Sequence, residues 1–425
     1  MLRPLVSSIL FAVLFLCGTV FAGDGDQTGN WYRGSMFLLH EDHHTSGTRE
    51  VGRDTDFEQY RELIGLCRPD MIQIHAKGNP GWTTYPSEIG HVPPKLKNDV
   101  LGIWRDVARA DGYHFSVYYN LGRDGELMLR RPEWNRVNAA GKLHDRKLCY
   151  HTGVYEEYVL PMVREIMKDY EPDGWWFDGS CFTVTTCYCD KCRERFVKET
   201  GISELPKNAD DEGWLRFKEM HRRIYRECIE DLADAIHEID PQCLVSVNWA
   251  YSLRMPEKPY EGIDYLTGDI ASDPPALSPE AHWYDSTGVP FDLMTTGHTY
   301  HKTVDADGKE QITVGVKSPE HIRQEIAVIM ANGGRFNLWD SPTPESGLQR
   351  ERFEFFGKVV APFIREREEW CRDTVRLPDV SLLHTASLHY ADTDMTPNCF
   401  SRPDRRRDGM VRWMRDLQLD YEFVG

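Results

Sequence analysis

The sequence predicts an α/β protein: a (β/α)8 TIM barrel followed by the truncated start of a second, doubly wound α/β domain. Three observations carry that expectation. Eight short apolar runs alternate with helical patterns between Trp31 and Trp339, polar and aromatic residues gather where those runs end, and one more strand-helix-strand pattern follows Leu377-Pro378.

The runs expected as strands are Ser35 to Leu39, Met71 to His75, His114 to Asn120, Gly174 to Asp178, Leu244 to Trp249, Tyr265 to Thr267, Phe291 to Thr295 and Arg335 to Trp339. Between them, apolar residues recur at helical spacing over Phe57 to Cys67, Asn98 to Asp111, Tyr155 to Tyr170, Asp211 to Ile239 and Pro319 to Asn332. A helix from Arg350 to Cys371 closes the barrel, giving a domain over residues 31–376. Beyond it, Val380 to His384 reads as a strand, Arg407 to Leu417 as a helix and Tyr421 to Val424 as a strand. A parallel strand ending at the last residue has too few partners for an independent sheet, so residues 377–425 are expected to open a longer domain.

Composition narrows the partners. The chain has 425 residues, with 50 Lys and Arg against 68 Asp and Glu, and the resulting charge of −18 argues against a nucleic-acid groove. With 40% hydrophobic and 28% charged residues it can bury a large core and is not disordered. The opening Met1-Leu2-Arg3, the apolar run Leu10 to Leu16 and the small-residue site Val20-Phe21-Ala22 have the form of an export signal cleaved after Ala22. That run is shorter than the roughly 20 residues of a bilayer span, so a secreted or periplasmic protein with no stable membrane anchor is expected.

The barrel strands end in His40, His75, Tyr119-Asn120, Asp178, Asn248-Trp249, Asp269, His298 and Trp339-Asp340, and in a barrel those ends share the face that carries active sites. Asp178 leaves the aromatic strand Gly174-Trp175-Trp176-Phe177 just before Gly179, where poor solvation and neighbouring charges tune a carboxylate for nucleophilic or acid/base work. The run Tyr158-Val159-Leu160-Pro161 through Tyr170-Glu171-Pro172-Asp173-Gly174-Trp175-Trp176-Phe177-Asp178-Gly179 resembles the nucleophile region of α-L-fucosidases and their barrel relatives. Ile74-His75-Ala76-Lys77 and Tyr118-Tyr119-Asn120-Leu121 resemble the second- and third-strand segments of that family, with a single His75 where the family has two. The resemblance implies a retaining glycoside hydrolase with Asp178 as nucleophile, acting on an oligosaccharide or glycan and needing no organic cofactor.

A retaining enzyme needs a second carboxyl about 5 to 5.5 Å away. Asp269, at the end of the sixth run, is the expected acid; Glu280, Asp273 and Asp340 are its rivals. Substrate contacts are expected from His40, His43, His75, Trp82, Tyr119, Asn120, Asn248, Trp249, His298 and Trp339, whereas Trp176, inside its strand, reads as core. The cluster His40-Glu41-Asp42-His43-His44 is taken as sugar contacts and a loop network rather than a metal site.

Cys187-Tyr188-Cys189-Asp190-Lys191-Cys192 places three thiols in six positions, which suits one tetrahedral Zn²⁺ better than strained short-loop disulfides. With Arg193-Glu194-Arg195-Phe196 it resembles the zinc cluster of zinc-containing bacterial β-galactosidases, and that resemblance implies Cys149 as fourth ligand of a structural zinc, with Cys181 the nearer rival. The segment from Leu377 resembles the start of the β-galactosidase trimerisation domain, which implies a homo-oligomer where that domain is complete. The competing functions are a β-galactosidase-like hydrolase, a non-catalytic carbohydrate-binding barrel, and a metal-storage or redox module.

Overall fold

The computed structural model describes residues 31–179, 185–269, 274–304, 310–391 and 405–425. The export signal, Cys181 and Asp273 lie outside them. Seven parallel strands form the central sheet: β1 (Phe37–Glu41), β2 (Met71–Lys77), β3 (His114–Asn120), β4 (Gly174–Asp178), β5 (Leu244–Val247), β6 (Asp292–Thr296) and β7 (Arg335–Asp340). Their order is β5-β4-β3-β2-β1-β7-β6. The expected strand over Tyr265 to Thr267 is instead an irregular segment held by isolated bridges, Leu266 to Phe291 and Asp269 to Met294. It still bonds both flanks. Asp264 N–H donates to Val245 O and Trp249 N–H to Thr267 O on the β5 side, while Asp292 N–H donates to Leu266 O and Met294 N–H to Gly268 O on the β6 side. The architecture is consistent with a (β/α)8 barrel in which residues 264–269 fill the sixth position, between β5 and β6.

Helices pack outside. Phe57–Cys67 starts where the Asp56 side chain accepts Gln59 N–H and stops at left-handed Arg68; Val100–Asp111 starts at Asp99 and stops at left-handed Gly112. The expected helix from Tyr155 to Tyr170 begins as a π-turn, Tyr155–Val159, before Leu160–Tyr170. The expected helix from Arg350 to Cys371 is likewise broken, with a π-turn at Phe356–Val360. Each π-turn ends two residues before a proline, Pro161 or Pro362, which brings no N–H to the helical ladder, so the preceding turn widens.

The strands' period of two sorts their side chains. Outward residues such as Leu39, Ile72, Val117, Tyr119, Phe177 and Leu338 join the large core beneath the helices. Inward residues fill the barrel: Leu38, Met71, Tyr118, Trp176, Leu244, Tyr265 and Met294 form a separate cluster. A buried polar thread runs beside it, with Trp176 Nε1 donating to Thr267 Oγ1 at 2.9 Å and Thr267 Oγ1 to Asp292 Oδ1 at 2.7 Å.

Val380–Leu383 and Tyr421–Val424 pair in parallel as a two-stranded sheet with the helix Arg405–Leu417 beside it. This unit packs on the helix Pro274–Ser286: Tyr421 stacks on His282 with centroids 4.0 Å apart, and His384 on Trp283 at 3.8 Å. Among the described residues no helix is long and apolar enough to cross a membrane.

Candidate active site

The inward-facing sequence positions continue upward into a cavity of about 260 Å³ at the C-terminal ends of the strands. It is lined by His40, Asp42, His44, Asn79, Tyr118, Arg123, Trp176, Asp178, Asp269, Met294 and Trp339.

Asp178 stands at the end of β4, facing three donors. Tyr118 O–H reaches its Oδ2 at 2.7 Å, Asn120 Nδ2 the same oxygen at 3.4 Å, and Asn248 Nδ2 its Oδ1 at 3.0 Å. Gly179 follows with φ +86°, and a Cβ there would collide with the Asn120 amide, so only glycine lets the chain turn against Asn120.

The Asn248 amide also donates to Asp269 Oδ1 at 3.0 Å. Two carboxylate oxygens each 3.0 Å from one nitrogen lie no more than about 6 Å apart, near the spacing of a retaining pair. Trp249 Nε1 donates to the same Asp269 oxygen. Trp249 holds a left-handed φ of 62°, which turns the chain immediately after β5 and presents Asn248 and Trp249 together. Asp269 is exposed at the mouth, yet enough protein surrounds its carboxyl that desolvation, and then the charge of Asp178, push it up to about 7; solvent at the mouth tempers the shift.

Opposite lies a histidine relay. His40 Nδ1 bonds Gln73 Oε1, whose amide donates to Ser116 Oγ at 2.7 Å. That leaves His40 Nε2 as acceptor for His75 Nε2–H at 3.3 Å, and the same N–H faces Asp42 Oδ1 at 3.1 Å. Burial pushes both imidazoles below their usual range. Burial opposes ionisation of Asp42 too, but the hydrogen bond and charge of His75, with His44 and His40 beyond, hold its carboxyl below the usual range. The His75 ring stacks on Tyr118 with centroids 3.5 Å apart, which orients the hydroxyl that reaches Asp178.

Not every expected contact reaches the cavity. Tyr119 faces outward and its hydroxyl reaches Met162 Sδ at 3.4 Å; its neighbour Tyr118 has the inward parity. His43 is buried against Ser346 Oγ at 2.7 Å. Trp82 covers Gly47 outside the cavity lining, and His298 bonds Thr296 Oγ1 at 3.1 Å. Trp176, expected as core, is buried and also a cavity wall. Asn120, Asn248, Trp249 and His75 act from just behind the lining. Of the rival acids, Glu280 lies in a different cavity, accepting Leu253 N–H at 2.7 Å, and Asp340 is bonded by Arg352 Nη1 at 2.7 Å. Asn79, Tyr118, Arg123 and Met294 are cavity residues that sequence reasoning missed, and Asp42 and His44 entered it only as members of a cluster. The strand period of two finds Tyr118 and Met294 once the pairing fixes one inward residue, while the loop residues carry no comparable signal.

The cysteines converge away from this cavity. Cys149, Cys187, Cys189 and Cys192 bring their sulfurs within 4.8 Å of one another, with Cys149 3.6 Å from Cys192 and 3.9 Å from Cys189. Four sulfurs at about 2.3 Å from one ion lie about 3.8 Å apart, so the set fits a tetrahedral metal; a disulfide would need about 2.05 Å. Val137 N–H donates to Cys187 Sγ at 3.4 Å, and hydrogen bonds from the other three thiols pull the Cys187 thiol far below its usual range. Behind it, Cys187 N–H donates to His221 Nε2 at 2.8 Å. This is a four-cysteine cluster able to bind a metal.

Two carboxyls thus converge at the C-terminal ends of parallel strands, within aromatic walls, on the face of a barrel that carries active sites. Residues 71–269 match the family model of alpha-L-fucosidase, so the α-L-fucosidase-like character read from the motifs is shown over that segment, which includes both carboxyls. No curated protein matches the chain by sequence. Among solved structures, the chain is similar to alpha-L-fucosidase isoenzyme 2 from Paenibacillus thiaminolyticus, with 24% identity, a TM-score of 0.76, and coverage of 92% of this chain and 58% of that one. It is similar to a β-galactosidase from Halorubrum lacusprofundi, with 13% identity, TM-score 0.66 and coverage of 91% and 66%. A GH42 β-galactosidase from G. stearothermophilus gives 15% identity, TM-score 0.62 and coverage of 92% and 65%. At these identities the likeness is one of fold, and the chain spans 58% of the length of the first of them.

Proposed function

We propose that the chain is a retaining glycoside hydrolase of α-L-fucosidase type that removes a terminal sugar from a glycan. The observation that carries the reading is the single Asn248 amide shared by Asp178 and Asp269. Asp178, at the end of the aromatic strand, is the nucleophile: one of its oxygens attacks the anomeric carbon as the bond to the leaving oxygen breaks. Tyr118, Asn120 and Asn248 hold the attacking carboxylate in place. Asp269, raised by partial desolvation of its carboxyl and by Asp178, gives its proton to the leaving oxygen, then takes one from the water that cleaves the glycosyl-enzyme. His44 and Asn79 offer hydrogen bonds to sugar hydroxyls, His40, with both ring nitrogens engaged by Gln73 and His75, forms part of the wall, and Trp176 and Trp339 supply apolar walls.

The four-cysteine cluster is read as a structural zinc site held by Cys149, Cys187, Cys189 and Cys192, since four thiolates leave no position for water. Export through the leader cleaved after Ala22 belongs to the same reading.

The test is hydrolysis of nitrophenyl glycosides, the α-L-fucoside and β-galactoside among them, by wild type and Asp178→Ala. Fucoside turnover that falls by roughly 10³-fold or more in the variant and returns with azide supports the assignment. Turnover of the β-galactoside alone replaces the sugar assignment, and a folded protein that cleaves no glycoside overturns the reading in favour of a carbohydrate-binding barrel.

A further inference from the structure

Arg123 lies on the loop after β3, and the backbone that carries it is pinned on both sides. Its own N–H donates to Asn120 Oδ1 at 2.8 Å. Asp124, the next residue, is fully buried, pairs with Lys77 Nζ at 3.0 Å and accepts Leu127 N–H at 2.8 Å. Lys77 also donates to Asn120 O at 2.7 Å. The loop is therefore fixed to the same asparagine whose amide reaches Asp178.

The Arg123 side chain is treated differently. It is half-buried and lines the cavity, where no other Lys or Arg stands among the described residues. Among the described residues no hydrogen bond or ion pair reaches its guanidinium. The cavity's carboxylates are engaged elsewhere: Asp42 by His75 and His44, Asp178 by Tyr118, Asn120 and Asn248, and Asp269 by Asn248 and Trp249. The leading causes of the lowered carboxyl of Asp42 and of the raised one of Asp269 lie in burial and in other neighbours. A half-desolvated guanidinium on a pinned loop, lining a ligand cavity and unmatched by any described residue, lacks a counter-charge among the described residues.

We propose that Arg123 forms a subsite for an anionic oxygen group carried by the glycan, a sulfate ester or a uronate carboxylate. The planar N–H fork matches either group bidentately, and the surrounding carboxylates repel an anion placed anywhere else in the cavity. The inference rests on the hydrolase reading above and names its substrate class: anionic fucosylated oligosaccharides rather than neutral ones.

The experiment compares the wild-type chain, Arg123→Gln and Arg123→Lys, with thermal melts to confirm folding. The substrates are an α-L-fucosyl oligosaccharide, the same oligosaccharide bearing one sulfate ester, and a counterpart containing a glucuronate. Wild type is expected to favour an anionic substrate in kcat/KM by about tenfold or more, Arg123→Gln to lose that preference and Arg123→Lys to keep part of it. Preference for the sulfated or for the glucuronate substrate assigns the group. Turnover of the neutral substrate with no anionic preference, or a preference that survives in Arg123→Gln, overturns the subsite and leaves the hydrolase reading standing. Calorimetric binding is measured on the same set, so that without turnover an anionic preference in binding, lost in Arg123→Gln, upholds the subsite while the hydrolase reading falls. Neither turnover nor binding of the anionic pair overturns both.

Discussion

Asn248 is one amide serving two carboxylates, and its removal acts on both. Its hydrogen bond lowers the Asp269 carboxyl against burial and the charge of Asp178, so Asn248→Ala raises that group further above about 7. Because Asp269 is needed protonated to assist departure, activity falls as pH rises through its pKa, and the alkaline limb of the kcat/KM profile moves to higher pH in the variant. We expect that shift together with a loss of about 10- to 100-fold at the optimum, read from pH profiles of wild type and variant. A profile that keeps its alkaline limb separates Asn248 from the proton donor. At this scale the sequence was informative wherever a residue ends an aromatic strand, as Asp178 does, and misleading where parity decides. Tyr118 and Tyr119 are alike in composition, and only the pairing of β3 with β4, Tyr118 opposite Trp176, settles which faces the cavity.

Single elements carry two further expectations. The cluster ties Cys149 to Cys187, Cys189 and Cys192, the last inside the helix Asp190–Thr200, so a metal bound there holds that helix to the barrel. Cys192→Ser is expected to lower bound zinc well below one per chain and the melting temperature by about 5 °C or more, measured by metal analysis and calorimetry. The helix Pro274–Ser286 carries Glu280, which burial raises from 4.5 to about 7. The folded protein keeps that proton at pH values where the unfolded chain has released it, so stability from this group is lost as pH rises from about 4.5 to about 7. Glu280→Gln removes the dependence while retaining an acceptor for Leu253 N–H. Its melting temperature relative to wild type is therefore expected to be higher at about pH 8 than at about pH 5; an equal difference at both overturns the assignment. Neither the π-turns nor the irregular stretch 264–269 was legible in apolar periodicity, because the proline displacement and the bonding to both flanks arise only once neighbours are in place.

For the molecule as a whole, the alternation of apolar runs and helical patterns was enough to order seven strands and the helices around them, since each run is short, buried and bounded by caps. What it left open is how residues 377–425 relate to the barrel. They are fastened to it by stacking of Tyr421 on His282 and His384 on Trp283, and by Arg376, which joins Asp285, Asp420 and Asn332 at 2.8, 2.7 and 2.7 Å. A chain ending at residue 376 is expected to melt roughly 5–10 °C lower and to bind hydrophobic dye, because the helix Pro274–Ser286 loses its cover. An unchanged melting temperature would make the segment an independent appendage.

The four cysteines also set a race. Thiols as close as 3.6 Å in the finished protein are competent to join in pairs when an oxidant arrives first, and the two reaction products exclude one another. Under oxidising conditions the harvest of native protein is then decided by which reaches the nascent chain sooner, ion or oxidant, so the same sequence gives different yields in two growth media that differ only in trace metal.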